Sequence, residues 1–253
     1  MLSSNSTVEA RPHIEPTDVS QALAAADHSD LDCHGEDQLV LQQIYLPHAE
    51  ALSNISPWVA SASRRCFDIL IAAIAVVISL PPILLLMLLV RASSPGPAIF
   101  RQRRAGRHRK EFTLYKIRSM RLASTGPEIT VSGDSRITRI GAVLRRYKLD
   151  ELPQFWNVLK GNVSLVGPRP KLPHHEALEL PYRPGITGMA TLFFHDEEKI
   201  LSEIPPHQLE TFYEACIKPR KAQLDLEYMQ TATLWTDLKL LWQTATSPFL
   251  DKG

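Results

Sequence analysis

"ILIAAIAVVISLPPILLLMLLV", Ile69 to Val90, runs for 22 residues without a charged side chain. A bilayer's hydrocarbon core is bridged by roughly 20 helical residues, and so continuous an apolar run favours insertion into lipid over burial in a soluble core. Two features argue against a plain crossing. Pro81 and Pro82 lie mid-stretch, where a proline removes a backbone hydrogen bond and kinks or breaks a helix. Both flanks are also basic: Arg64 and Arg65 precede it, and Arg91, Arg101, Arg103, Arg104, Arg107, Arg109 and Lys110 follow. Positive flanks stay cytoplasmic, and a straight span would export one of them. A helix that enters, bends at the double proline and returns keeps both inside. Backbone groups freed at the bend need partners, since lipid offers none, and Ser79 is placed to supply one. Asp68, near the entry, is expected at the interface beside Arg64 or Arg65.

N-terminal to this stretch the composition changes. The 253-residue chain has a formal charge of +1, which averages two unlike parts. Residues 1–57 hold nine Asp/Glu against Arg11 alone, about −8, and the remainder carries about +9. With few aromatics and little apolar period, this part reads as a largely disordered acidic tail. "QLVLQQIYL" within it fits a short helix or docking segment. No signal-peptide pattern follows Met1. Cys33, Cys66 and Cys216 are scattered and odd in number, which supports neither a disulfide framework nor a zinc site and suits a reducing compartment. His174–His175 lack a third ligand at recognisable spacing.

C-terminal to it, "PGPAIFRQRRAGRHRKEFTLYKIRSM" (95–120) reads as a turn, an extended run "AIFRQ", a basic loop and a strand carrying Phe112, Leu114 and Ile117. Anionic lipid headgroups account for several of its cations. Nucleic acid is disfavoured, because the patch adjoins a membrane segment and lacks interleaved aromatics. Phosphate recognition is a third use, for which Lys116 and Arg118 are best placed. Residues 137–148 alternate Ile140, Val143 and Leu144 with Arg139, Arg145, Arg146 and Lys148 at helical spacing. Asp150 and Glu151 then sit side by side before "LPQFWNVLKG", a short helix closed by Gly161. The bland reading of the pair is helix grammar, acids in a first turn beside Pro153. "VSLVGPRPKLP" fixes Arg169 between Pro168 and Pro170, and "YRPGITG" repeats the device with Arg183. Cations in two stiff turns suit a polyanion, though each alone is ordinary turn chemistry. Leu224, Tyr228, Ala232, Trp235, Leu238 and Trp242 form a helical stripe over 219–246, read as core packing or as a face on the bilayer interface.

Together "RRCFDILIA", the Pro-interrupted apolar helix, "SPGPAIFRQRRAG", "FTLYKIRSM", "DSRITRIGAVLRR", "LDELPQFWNVLKGNVSLVGPRP" and "YRPGITG" closely resemble, in colinear order over about 62–246, the bacterial sugar transferases. These are monotopic polyprenyl-phosphate phosphoglycosyl transferases. The resemblance implies an α+β, predominantly helical fold with a re-entrant helix–break–helix membrane hairpin, a small cytoplasmic catalytic domain and interfacial amphipathic helices. It divides the chain into a tail (1–57), the membrane helix (58–92) and the catalytic domain (93–253). The implied reaction moves a sugar-1-phosphate from a UDP-sugar to undecaprenyl phosphate and releases UMP. It proceeds through an aspartyl phospho-sugar and initiates exopolysaccharide, O-antigen or related glycan assembly at the bacterial inner membrane. By position, Asp150 matches the nucleophile, Glu151 the magnesium-associated acid and Arg145 a phosphate-binding arginine. Pro168, Arg169 and Pro170 correspond to an active-site motif, and Arg183 to a nucleotide contact. Mg²⁺ is the implied cofactor, and anionic lipid a further partner.

The sequence also departs from the family pattern. Arg109 stands where a second glycine is common, Ile117 where Phe is usual, and "MATLFFHDEEKIL" replaces the frequent "WAQVNGR". No binding residue is carried over in that last region; Asp196, Glu197 and Glu198 read there as a solvated helix start, with contact to a metal as the alternative. Two rivals stand beside the covalent reading: direct attack by the lipid at the same site, and a membrane-tethered scaffold that only binds anionic lipid. Sugar, pathway and oligomeric state are not legible, and a homo-oligomer is compatible with the sequence.

Overall fold

A computed structural model describes residues 54–121, 131, 133–175 and 181–250. Most of the acidic tail, with "QLVLQQIYL", lies outside the described residues. A first turn of helix, α1 (Pro57–Ala60), is capped by Ser56, whose hydroxyl accepts from the Trp58 N–H at 3.3 Å. Ser61 then caps α2 (Ala62–Ser93) by accepting from the Arg64 N–H.

At 32 residues, α2 is the one helix among those described that is long and apolar enough to cross a membrane. It runs on through Pro81 and Pro82, so the expected break is not an interruption of the helix. Proline's φ is helical; what it removes is the N–H that would serve a carbonyl one turn back. Here those carbonyls belong to Val77 and Ile78. The Ser79 hydroxyl instead makes a long bond, 3.4 Å, to the Val76 carbonyl.

Arg64, Asp68, Ala72, Ser79 and Val90 are buried at multiples of three to four residues, one stripe along the whole of α2. The opposite face is bare: Leu70, Val77, Ile78 and Leu88 are 60–73% exposed. Ala72 joins a core with Phe112, Leu114, Val158, Leu165, Tyr228 and Met229. Val90, with Ile83 and Leu86 beside it, packs on Ile117 and Leu144. Both halves of the helix therefore rest on one body. Asp68, expected beside Arg64 or Arg65, has both close enough to act on it. It is buried, accepting from Ser164 Oγ at 2.8 Å and the Leu165 N–H at 3.1 Å, so it ties the helix to a strand.

Beyond α2, β1 (Ile99–Ala105) and β2 (Glu111–Ile117) pair antiparallel, as the alternating sequence suggests. Their connection places His108 and Arg109 at φ 53° and 56°. That region costs a non-glycine residue about 1–2 kcal/mol, which explains why a glycine suits the position that Arg109 occupies. Thr138 caps α3 (Arg139–Arg146), accepting from the Gly141 N–H at 2.9 Å. Gly141 is required by contact, since a Cβ there would lie 1.9 Å from the Ser119 carbonyl oxygen. Leu144 faces in, while Val143, expected on the apolar face, is 53% exposed.

Lys148, in the left-handed region at φ 53°, turns the chain into a 3₁₀ turn, Leu149–Glu151. α4 (Gln154–Leu159) follows and ends at Gly161, φ 80°. β3 (Ser164–Val166) and β4 (Gly185–Thr187) pair in parallel. Short helices α5 (Met189–Phe193), α6 (Glu197–Ser202) and α7 (Leu209–Phe212) lead through a π-turn into α8 (Lys218–Thr231), and α9 (Leu234–Leu250) closes the described chain.

The expected single stripe over 219–246 is two helices. Ala232 leaves helical geometry at ψ 134°. Thr233 and Thr236 then cap α9 reciprocally, each backbone N–H donating to the other's hydroxyl at 2.6 and 3.2 Å. Leu224, Tyr228 and Ala232 are buried, whereas Trp235 and Trp242 are 78% and 72% exposed.

Candidate active site

The acid pair does sit in a first turn, that of the 3₁₀ helix, but no side-chain cap bond is made at the start of either that turn or α4. The two carboxylates have opposite surroundings. Glu151 Oε1 accepts from Lys116 Nζ at 3.0 Å and from the Arg169 guanidinium. Those cations come from the last part of β2 and from the loop after β3, where Pro168 and Pro170, both buried, hold Arg169 outward. Asp150 is buried at 6% exposure. Among the described residues, no side chain lies within hydrogen-bond or ion-pair distance of its carboxylate. One acid is clamped and its neighbour is left unpaired.

Electrostatics follow the geometry. Burial, reinforced by Glu151, pushes the Asp150 carboxyl up to about 6 against the pull of Lys116, Arg145 and Arg169. Burial acts on Glu151 in the same direction, but Arg169 and Lys116 outweigh it and hold that group at about 2. A group that ionises near 6 and lacks a partner suits nucleophilic or proton-transfer chemistry.

Arg145, on α3, lies close enough to act on Asp150, but its guanidinium is taken up by Glu198 of α6. Beside it Lys221 Nζ binds both oxygens of Glu197 at 2.7 and 2.6 Å. The acids of 196–198 therefore do not form a merely solvated helix start. Arg118 is placed elsewhere: it is buried, and its guanidinium donates to the Ser94 and Pro95 carbonyls at 2.7 and 2.8 Å, fastening the C-terminal end of α2. Arg183 Nε donates to the Gly161 carbonyl at 3.0 Å. Burial and the nearby Arg65 and Arg107 hold its guanidinium below the usual range. Ser79, Pro81 and Pro82 lie in mid-α2. Of the expected residues, the structure thus brings together Lys116, Arg145, Asp150, Glu151, Pro168, Arg169 and Pro170.

Among the described residues no group of three or more His, Cys, Asp or Glu could cage a metal. A pair of neighbouring carboxylates suits Mg²⁺, which keeps several waters and is held by one or two carboxylates plus substrate phosphates.

The family profile described as bacterial sugar transferase matches residues 59–251. The chain belongs to the bacterial sugar transferase family. This sugar transferase is 36% identical over 196 residues, 73% of its length, to the UDP-glucose:undecaprenyl-phosphate glucose-1-phosphate transferase of Caulobacter vibrioides, and covers 68% of that protein. It is 34% identical over 203 residues to the Escherichia coli K12 protein of the same name, covering 75% of this chain and 41% of that one. The UDP-N-acetylgalactosamine-undecaprenyl-phosphate N-acetylgalactosaminephosphotransferase of Aeromonas hydrophila is 34% identical over 198 residues, 72% of this chain and 42% of its own. The chain thus spans about two-fifths of the last two relatives.

Three features of this sugar transferase escaped the sequence reading. Glu198 was not assigned to Arg145, because nothing local marks a pair 53 residues apart. Gln154, one turn after Asp150, is 2% exposed, and its Nε2 finds no acceptor among the described residues. A polar residue at the start of so apolar a helix was the available signal. The third is a buried network. Asp237 Oδ2 lies 3.2 Å from Arg64 Nε, at an angle that makes an ion pair rather than a hydrogen bond, and accepts from Trp58 Nε1 at 2.9 Å. Arg64 Nη2 donates to the Val166 carbonyl at 2.6 Å and the Tyr228 hydroxyl at 2.7 Å, and that hydroxyl donates to Asp237 at 2.5 Å.

Proposed function

We propose that this sugar transferase moves a sugar-1-phosphate from a UDP-sugar to undecaprenyl phosphate, by way of Asp150, at the cytoplasmic face of the inner membrane. The observation that carries the reading is the asymmetry of the acid pair. A diphosphate repels a carboxylate unless cations intervene, and Lys116, Arg145 and Arg169 surround this one while leaving it unpaired.

In the first displacement an Asp150 oxygen attacks the sugar-bearing phosphorus, and the bond from that phosphorus to the bridging oxygen breaks. UMP leaves, and the phospho-sugar is bonded to Asp150. In the second, an oxygen of undecaprenyl phosphate attacks the same phosphorus, the Asp150 carboxylate departs, and a diphosphate-linked lipid sugar forms. Mg²⁺ held through Glu151 would supply charge neutralisation on the phosphate oxygens. Arg169 orients the donor, and Lys116 keeps Glu151 ionised. The relatives' names support the choice of donor and acceptor.

A re-entrant seating of α2 is part of the same reading. A straight crossing would carry one end of the helix away from the body, yet Ala72 and Val90 both pack on it. The face left bare is aliphatic. The site would then stand where a soluble donor and a lipid acceptor meet.

Purified protein with Mg²⁺, undecaprenyl phosphate and a panel of UDP-sugars is expected to release UMP with at least one of them; release with none would refute the reading. Incubation with that donor and no lipid should leave a phospho-sugar on Asp150, detectable by mass spectrometry. Its absence under turnover conditions would favour direct lipid attack. The pH dependence follows from the ionised nucleophile. With Asp150 at about 6, kcat/KM should rise about tenfold per pH unit below that value and level off above it. A flat profile between pH 5 and 7 would exclude Asp150 as the titrating nucleophile.

A further inference from the structure

Lys116, Arg145 and Arg169, the three cations that act on Asp150, each already contact a carboxylate of the chain. Glu151 occupies Lys116 and Arg169, and Glu198 occupies Arg145. A diphosphate entering beside Asp150 competes with these carboxylates for the same cations. The two acids are not held alike. Glu151 sits between two cations at 15% exposure, whereas Glu198 has Arg145 alone and is 41% exposed. An ion pair that solvent reaches is weak, and a single one yields before a doubly held one.

Glu198 is also carried on the six-residue α6, within a small core of its own formed by Ala190, Phe194, Leu201, Leu209, Ile217 and Leu224. That core is anchored next to Glu198 by Glu197 on Lys221. The segment coincides with the region where this sequence abandons the family pattern.

We infer that Glu198 is an internal competitor for the donor's diphosphate on Arg145, and so a residue that sets donor affinity. The inference rests on the donor reading above. In the donor-free protein the Glu198 carboxylate stands where a phosphate oxygen would accept from Arg145. Donor binding releases it to water, and the free energy of the broken pair is subtracted from donor affinity. Removing the charge while keeping the shape should therefore tighten binding without touching the reacting groups.

The test is Glu198→Gln, with Glu198→Asp as the charge-conserving variant and Glu203→Gln, at the exposed position just after α6, as a control for charge removal alone. Expected for Glu198→Gln is a donor KM about two- to fivefold lower, with kcat moving far less. Glu198→Asp should stay near wild type, and Glu203→Gln should leave KM where it was. An unchanged or raised KM in Glu198→Gln, or a loss of kcat to match, overturns the inference.

Equilibrium binding of inorganic pyrophosphate to the full chain, by calorimetry, separates this from the donor reading. Tighter pyrophosphate binding in Glu198→Gln sustains the competitor even if no UDP-sugar releases UMP. Equal binding overturns it even where UMP release is robust.

Discussion

Asp150→Asn is expected to lower UMP release by about 10³-fold or more and, at the same time, to make the protein more stable at neutral pH. The first effect follows from losing the unpaired carboxylate of the site, since an amide cannot form the acyl-phosphate bond. The second follows from burial. A carboxyl raised from 3.8 to about 6 in the folded state binds more protons folded than unfolded between those values. Stability therefore falls as pH climbs through that window, and above it the ionised group costs on the order of 3 kcal/mol. Asn removes that cost, so the melting temperature should rise at pH 7–8, and the gain should fade as the pH drops towards 4. Glu151 has the opposite sign. Held at about 2, it contributes stability that is present above 4.5 and lost as pH falls through 2, so Glu151→Gln should destabilise at neutral pH. Thermal unfolding across pH, alongside UMP release, measures both. If Asp150→Asn retained turnover, or lost stability at pH 8, the description of a buried unpaired nucleophile would be wrong.

The other large effect concerns the network under the loop that carries Arg169. Arg64 and Asp237 are 4% and 1% exposed. Removing one partner leaves the other charged and buried, which costs about 3–5 kcal/mol. Asp237→Ala should therefore shift the chemical-denaturation midpoint severely, and Arg64→Ala similarly. Replacing both with apolar residues of similar size, Arg64→Met with Asp237→Leu, should recover much of the loss, because neither charge then remains to be desolvated. Burial pushes the Tyr228 hydroxyl up, so it stays a neutral donor to Asp237 throughout. Activity should fall further than stability explains. Arg64 holds the Val166 carbonyl, three residues before Arg169, so its loss loosens the cation that clamps Glu151. A double variant no more stable than the singles would show that packing and the hydrogen bonds lost at Trp58, Val166 and Tyr228, not the unpaired charge, set the cost.

Local patterns decided what could be read early. The length and polarity of Ile69–Val90, the alternation in β2, the turn at Gly161 and the adjacency of Asp150 and Glu151 all depend on neighbours a few residues apart. Those elements are found where the sequence placed them. Even there, single-residue outcomes depended on packing. Val143 faces out although its helix is amphipathic, and the stripe from Leu224 to Trp242 divides at Ala232 because the threonine caps there stabilise a new helix.

What no local pattern could decide is which charge meets which. Lys116 and Arg118 are two residues apart and chemically alike in a linear reading, yet one reaches Glu151 and the other is spent on the carbonyls that end α2. Glu151 finds its partners 35 and 18 residues away, and Arg145 finds Glu198 53 residues on. The sequence alone determined that the chain has an apolar helix and a pair of acids among cations. Only the tertiary structure decided that Glu151 would be neutralised and Asp150 left alone. Coulomb energy and desolvation depend on distance and burial in three dimensions, and neither is a property of spacing along the chain.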